Sequence, residues 1–289
     1  MNVEVIQGND DATHLELHSF LPRVPLEVTN TAPSQQPGVV LIHGTVVTDR
    51  LYWPFARRLA RTLDRPVYSY NRRGRGASSG QLKDYSIADE IADLKTVMNY
   101  TGSADVLGHS FGGFVALSAA LELPIRRLVT YDAAVSLDGN LQSRWRPELE
   151  VDTASGRLDH AWAHLVQGLG TAGPISKLPL NMLRGISMLS AKTPRGSEMR
   201  ALLPTAVVEM RALLRADRTA ADFANIEVPT LMLSGQFSPE YFGQTGLALA
   251  AASPLITFRT IPFQQHEGPI RPGPALMRNV REFLGPELT

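Results

Sequence analysis

Asp105-Val106-Leu107-Gly108-His109-Ser110-Phe111-Gly112-Gly113 decides the fold, because it sets a serine between two glycines directly after a short apolar run. The stretch reads as a nucleophile elbow. A serine hydroxyl is a poor nucleophile unless the backbone thrusts it out of a strand into a sharp turn, and that turn is crowded two residues before and two after the serine. Gly108 and Gly112 leave the room. Residues 111–121 include Ala116, Leu117, Ala119, Ala120 and Leu121, which predicts a helix whose N-terminus favours negative charge developing beside the hydroxyl. A Gly-x-Ser-x-Gly pattern recurs by chance in long chains; the strand before it and the helix after it give this one its meaning.

The same rhythm continues outward on both sides. Val39–Ile42 reads as a buried strand, 51–63 as a helix, 66–70 as a strand, 87–100 as a helix, 104–107 as the strand feeding the serine, and Arg127–Tyr131 as another strand. Such alternation predicts a parallel sheet with helices on both faces. From about 134 to 221 the strand signals stop, and helical patterns broken by glycine and proline take over at Leu158–Leu169, 180–189 and 199–214. The rhythm resumes with a strand at 230–234, a helix at 241–251, a strand at Ile256–Ile261 and a helix at 275–284. The middle reads as an inserted helical lid, dividing the chain into a core of residues 1–135 and 222–289 and a lid of residues 136–221. A surface connection tolerates an insertion of that size.

Acidic and basic residues balance at 28 each, so no global field draws nucleic acid or an anionic membrane to the chain. An apolar share of 44% suits a globular protein with a substantial core. Residues 1–21 carry acidic residues and two histidines without an apolar block, so neither a signal peptide nor a membrane span is expected, and the expected location is cytoplasmic. The absence of cysteine excludes disulfides, thiolate catalysis and thiolate metal sites. His160 and His164 stand four apart, but no third ligand lies near them in sequence, and a solvated helix face is the expected reading.

Several of these segments together resemble the α/β-hydrolase superfamily over nearly the whole chain. Val39-Val40-Leu41-Ile42-His43-Gly44-Thr45 looks like the strand and His-Gly turn that supply one oxyanion-hole amide. Tyr70-Asn71-Arg72-Arg73-Gly74-Arg75-Gly76-Ala77-Ser78 looks like the family's Asp-Arg-Arg-Gly-x-Gly-x-Ser loop with asparagine for aspartate. Gly108 to Gly113 is the elbow, Val228-Pro229-Thr230-Leu231-Met232-Leu233-Ser234-Gly235 resembles the strand after the lid, and His266 falls where the family places its catalytic histidine. The resemblance implies an α/β-hydrolase fold: a mostly parallel eight-stranded sheet flanked by helices, with an all-helical lid inserted after the sixth strand.

The resemblance also assigns roles. Cleavage through serine needs a base for the hydroxyl proton, and a histidine suits neutral pH. Elimination and resemblance leave His266, since His14 and His18 precede the core, His43 belongs to the oxyanion turn and His109 is expected to point elsewhere on the elbow. The imidazole in turn needs a carboxylate. The commonest family position for it, three residues past Gly235, is Ser238 here. Some family members carry the acid at the end of the sixth strand, which makes Asp132 the first candidate, with Glu240 second and an incomplete dyad third. The two oxyanion donors implied are the amides of Thr45 and Phe111. Arg72, Arg73 and Arg75 are expected to hold neighbouring loops together.

Substrate contacts are expected from Trp162, Met182 and Ile186 of the lid, and from Tyr52 and Trp53 beyond the oxyanion turn. The expected function is a serine hydrolase of esters, lactones or thioesters of a hydrophobic small molecule, with no metal or organic cofactor, no nucleic-acid partner, and a monomeric or homodimeric state. Two alternatives stay open. The fold and triad serve a non-hydrolytic or carbon–carbon bond reaction, such as a biosynthetic cyclisation, C–C cleavage or cofactor-free oxidation; or the chain is a ligand-binding protein without turnover, a reading motivated by Ser238.

Overall fold

Short runs of apolar residues become the strands of one sheet in the computed structural model, which describes residues 1–8, 12–22, 37–141 and 143–285. The elements in chain order are β1 (Asn2–Gln7), β2 (His14–Phe20), β3 (Val39–Ile42), α1 (Trp53–Leu63), β4 (Val67–Tyr70), α2 (Ile87–Thr101), β5 (Asp105–His109), α3 (Phe111–Ala119) and β6 (Arg127–Tyr131). There follow α4 (Arg146–Ala154), α5 (Leu158–Leu169), α6 (Leu180–Ser190), α7 (Pro194–Ala201) and α8 (Leu203–Arg215), then β7 (Thr230–Gly235), α9 (Glu240–Ala252), β8 (Ile256–Ile261) and α10 (Pro274–Leu284).

The sheet runs β1-β2-β4-β3-β5-β6-β7-β8. Only β1 and β2 run antiparallel to their neighbours; β4 through β8 are parallel. Alternate strand residues face opposite sides. Val40, Ile42, Val106 and Leu128 point to the face covered by α2, α3 and α9, while Val39, Leu41, Leu107 and Val129 point to the face covered by α1 and α10. Parallel strands buried on both faces must be apolar throughout, and β3 and β5 are buried at every position. The chain leaves β3 for β4 on one side, then crosses back to β5 on the other, so the carboxyl ends of β3 and β5 lie side by side with the chain departing in opposite directions. Such a crevice is where ligands bind in open α/β sheets.

Helices α4 to α8 lie between β6 and β7. The ends of this insertion are pinned together, with Arg218 N–H donating to the Ser136 carbonyl at 3.3 Å and Asp138 N–H donating to the Arg218 carbonyl at 2.9 Å. Its core joins Leu149, Ala161, Leu165, Leu203, Ala206 and Val207, and one residue from outside enters it: Val46, from the turn after β3.

Three differences from the sequence reading have local causes. The β1–β2 hairpin shows no apolar block, because Val3 and Val5 are exposed and β2 buries polar His18. Helix α4 holds mostly charged and small residues. The single helix expected over 199–214 is two, interrupted at Leu202; Pro204 forbids continuation from the preceding turn and instead sits in the first turn of α8.

Candidate active site

Ser110 ends β5 and caps α3 with φ 56° and ψ −122°, a conformation that non-glycine residues avoid. Val46 and Asp132 also have positive φ, 50° and 44°. Each costs on the order of 1–3 kcal/mol, and such strain persists where surrounding structure imposes it. Here the imposing contacts are visible: Ser110 N–H donates to the Tyr131 carbonyl at 3.0 Å, Asp132 N–H to the Leu233 carbonyl at 2.8 Å, and Val46 is clamped in the core of the inserted helices. The elbow glycines leave no alternative side chain, since a Cβ at Gly108 would overlap the Gly112 carbonyl and a Cβ at Gly112 would overlap the Ile42 carbonyl. Those obstacles are backbone, so Gly108→Ala and Gly112→Ala are each expected to cost about 3 kcal/mol or more. Urea midpoints within a few tenths molar of wild type would refute that.

The carboxylate of Asp132 accepts three hydrogen bonds. His266 Nδ1–H donates to Oδ2 at 3.0 Å, Ser238 Oγ–H to Oδ2 at 2.6 Å, and Gly235 N–H to Oδ1 at 3.2 Å. Asp132 is 1% exposed, so these donors replace the water it has lost. His266 stacks on Phe242, with ring centroids 5.0 Å apart and planes at 14°. Glu240, the second candidate acid, lies exposed in the first turn of α9.

A chain of uncharged groups crosses the elbow. A carbonyl oxygen only accepts, so the 2.8 Å contact to the His266 carbonyl puts the His109 proton on Nε2. Nδ1 of His109 therefore accepts from the Tyr52 hydroxyl at 2.6 Å, and the Tyr52 oxygen accepts Gly44 N–H at 3.3 Å. Sequence reading sends His109 away from the site; the structure brings it there, 4.6 Å from the His266 ring. The bond between residues 52 and 109 has no sequence signal.

On the other side of Gly44, Arg72 N–H donates to His43 Nε2 at 3.1 Å, which leaves Nδ1–H of His43 to donate to the Gly44 carbonyl at 2.8 Å. Arg72 Nη1 reaches the same carbonyl at 3.1 Å. The arginine loop is a buried ion-pair network: Arg72 with Glu90 and Glu209 at 2.9 and 2.6 Å, Arg75 with Glu209 at 2.6 Å, and Arg73 with Asp93 at 2.7 Å.

Three histidines are shifted, two downward and one upward. His43 is held well below the usual histidine value by burial, then by Arg75 and Arg72; His109 is held there by burial and the neighbouring His266. Burial opposes charge on His18 also, but Asp49, 2.8 Å away, and Glu16 outweigh it and its pKa is raised. Below about pH 6.5 the unfolded chain takes protons at His43 and His109 that the folded chain refuses, so stability falls with falling pH by up to about 1.4 kcal/mol per unit for each. The His18 contribution is full below about pH 6.5 and fades as pH rises through its raised folded value. Urea midpoints between pH 5 and 8 are therefore expected to peak near pH 6.5, and His18→Gln to flatten the alkaline side. Burial also raises Asp93, to about 6, and below that pH its proton uptake on folding offsets one of the two histidines; a flat acid side would show that at least one of His43 and His109 is charged in the folded protein.

One cavity of about 350 Å³ gathers these parts. Ser110, His109, His266, Gly44, Thr45 and Tyr52 line it from the sheet side, and Trp162, Leu165, Val166, Leu169, Ile175 and Ile186 from the inserted helices. Thr45 Oγ1 is buried without a partner among the described residues. Phe111, as the first residue of α3, has an N–H with no acceptor inside the helix. Trp53 and Met182, expected as substrate contacts, are not among the residues that line this cavity. Trp53 instead donates Nε1–H to Asp49 at 3.2 Å and packs on His18 and Phe20. Met182 is 52% exposed on the outer side of α6.

Among the described residues no helix is long and apolar enough to cross a membrane. Residues 39–272 match the model of a family described as the alpha/beta hydrolase family. Over 152 residues the chain is 31% identical to Lipase LipV of Mycobacterium tuberculosis, covering 51% of this chain and 56% of that protein. It is 26% identical over 164 residues to a 1-acylglycerol-3-phosphate O-acyltransferase of Arabidopsis thaliana, covering 51% of this chain and 38% of that one. The matches thus span about half or less of the length of these curated relatives. An alpha/beta hydrolase from Sphaerobacter thermophilus superposes with a TM-score of 0.75 at 26% identity, covering 97% of this chain and 99% of the other.

Proposed function

This chain belongs to the α/β-hydrolase family, and from that premise we propose that it is a serine hydrolase cleaving an ester, lactone or thioester of a hydrophobic small molecule. The observation that carries the reading is the union of Ser110 and His266 in one cavity, with Nδ1 of His266 3.0 Å from a buried Asp132. In the reaction, Ser110 Oγ attacks the acyl carbon as its proton passes to His266 Nε2, and Asp132 stabilises the imidazolium. The amides of Thr45 and Phe111 receive the negative charge on the former carbonyl oxygen. That tetrahedral species collapses, the bond to the leaving group breaks, and His266 returns the proton to it. Water, deprotonated by His266, then attacks the acyl carbon; the bond to Ser110 Oγ breaks, His266 returns the proton to that oxygen, and the acid is released.

Helices α4 to α8 act as the lid over residues 136–221, with residues 1–135 and 222–289 as the core. Their apolar side chains in the cavity wall favour an acyl group without charge. A fluorophosphonate probe tests the proposal: wild type is expected to form a covalent adduct at Ser110 and to hydrolyse short nitrophenyl esters. A protein that remains unlabelled and inert toward those esters would overturn the hydrolase reading and favour ligand binding without turnover.

A further inference from the structure

Arg72 touches the peptide that carries one candidate oxyanion donor and the side chain of the residue that carries the other. Its Nη1 donates to the Gly44 carbonyl at 3.1 Å, and its guanidinium lies over the Phe111 ring with the central carbon 4.5 Å from the centroid. The Gly44 carbonyl and the Thr45 N–H belong to the same peptide unit. A trans peptide is planar with the two groups pointing opposite ways, so whatever grips the oxygen from behind aims the N–H forward. His43 Nδ1–H grips the same oxygen at 2.8 Å. A positive charge on the carbonyl also draws electron density from the nitrogen, which makes its N–H a stronger donor.

We propose that Arg72 is a positioning residue of the oxyanion hole, holding the Gly44–Thr45 peptide and the Phe111 ring in place, and that Glu209 of α8 fixes Arg72 from the inserted helices. This deepens, and rests on, the serine-hydrolase reading. Glu209 is fully buried and accepts from Arg72 and Arg75, both at 2.6 Å, while Glu90 accepts from Arg72 Nε and Nη2 at 3.0 and 2.9 Å. Val46, one residue past Thr45, is seated in the core of the same inserted helices. The oxyanion turn is thereby attached to the insertion twice, through an ion pair on one side of Thr45 and an apolar side chain on the other. Lysine at position 72 keeps a charge for the glutamates but loses the planar fork that serves the glutamates and the carbonyl together.

Three variants test the proposal: Arg72→Lys, Glu209→Gln, and, as a control from the same loop, Arg73→Lys, whose native side chain pairs with Asp93 and contacts neither Gly44 nor Phe111. Arg72→Lys is expected to lower kcat on nitrophenyl butyrate about 100-fold, the lower end of the loss when one oxyanion donor is removed. KM should stay within twofold, and affinity for a trifluoromethyl ketone, whose adduct carries an oxyanion, should fall by the same factor as kcat. Glu209→Gln should show the same signature at about a tenth of the size, and it serves alone if Arg72→Lys does not fold. Arg73→Lys should move neither kcat nor ketone affinity. Independently of turnover, the amide resonance of Thr45 should shift in Arg72→Lys and not in Arg73→Lys. A folded Arg72→Lys or Glu209→Gln with kcat and ketone affinity unchanged, or a Thr45 resonance that ignores Arg72, would overturn the positioning role. An inert wild type would instead overturn the hydrolase reading, and the Thr45 resonance would still decide the positioning.

Discussion

Ser110→Ala is expected to lower kcat on the order of a millionfold while leaving the fold intact. In the proposed mechanism the nucleophile and its base act as a unit, so that removing the hydroxyl also idles His266 and the loss is that large. The fold survives because the φ of 56° at Ser110 is imposed by backbone, through Gly44, Gly108, Gly112 and the hydrogen bond to Tyr131, and not by the hydroxyl. Alanine at that position has the same Cβ and the same strain. Stopped assays with a nitrophenyl ester and mass spectrometry of the fluorophosphonate adduct measure both halves. A variant that keeps a tenth of the activity, or that is labelled at another serine, would remove Ser110 from the chemistry.

Asp132→Asn is expected to lower kcat about 10,000-fold, the loss seen when an amide replaces a triad carboxylate and the imidazole takes the wrong tautomer. Asparagine tolerates the left-handed φ of 44°, so backbone strain does not confuse the result. Its carbonyl oxygen still accepts from Ser238 or Gly235, but an amide carries no charge to offset the imidazolium. Glu240→Gln, on an exposed helix turn, is expected to leave kcat within twofold. A large loss in Glu240→Gln with a small one in Asp132→Asn would reverse the assignment of the acid. Circular dichroism of both variants guards against a loss caused by unfolding.

The elbow was legible because its requirements are local: two glycines, an apolar strand and a helix, all within a few residues of Ser110. The parallel strands were legible for a similar reason, since β3 and β5 are buried on both faces and read as continuous apolar runs. The β1–β2 hairpin was not, because β1 is largely exposed and the buried His18 is compensated by Asp49, distant in sequence. Likewise nothing near Tyr52 or His109 signals that their side chains meet; only the sheet order sets the ends of β3 and β5 side by side. Trp53 follows Tyr52 in sequence yet its side chain leaves in another direction at the start of α1. Met182 illustrates the same limit for the inserted helices, where apolar residues on α6 face both the cavity and solvent, as Ile186 and Met182 do.

The 2.6 Å hydrogen bond from Ser238 to Asp132 joins the ends of two strands, and it leaves room for only one carboxylate between them. A carboxylate at 238 beside Asp132 would crowd two like charges into one buried space and force one of them to keep a proton. An acid after β6 thus calls for an uncharged donor after β7.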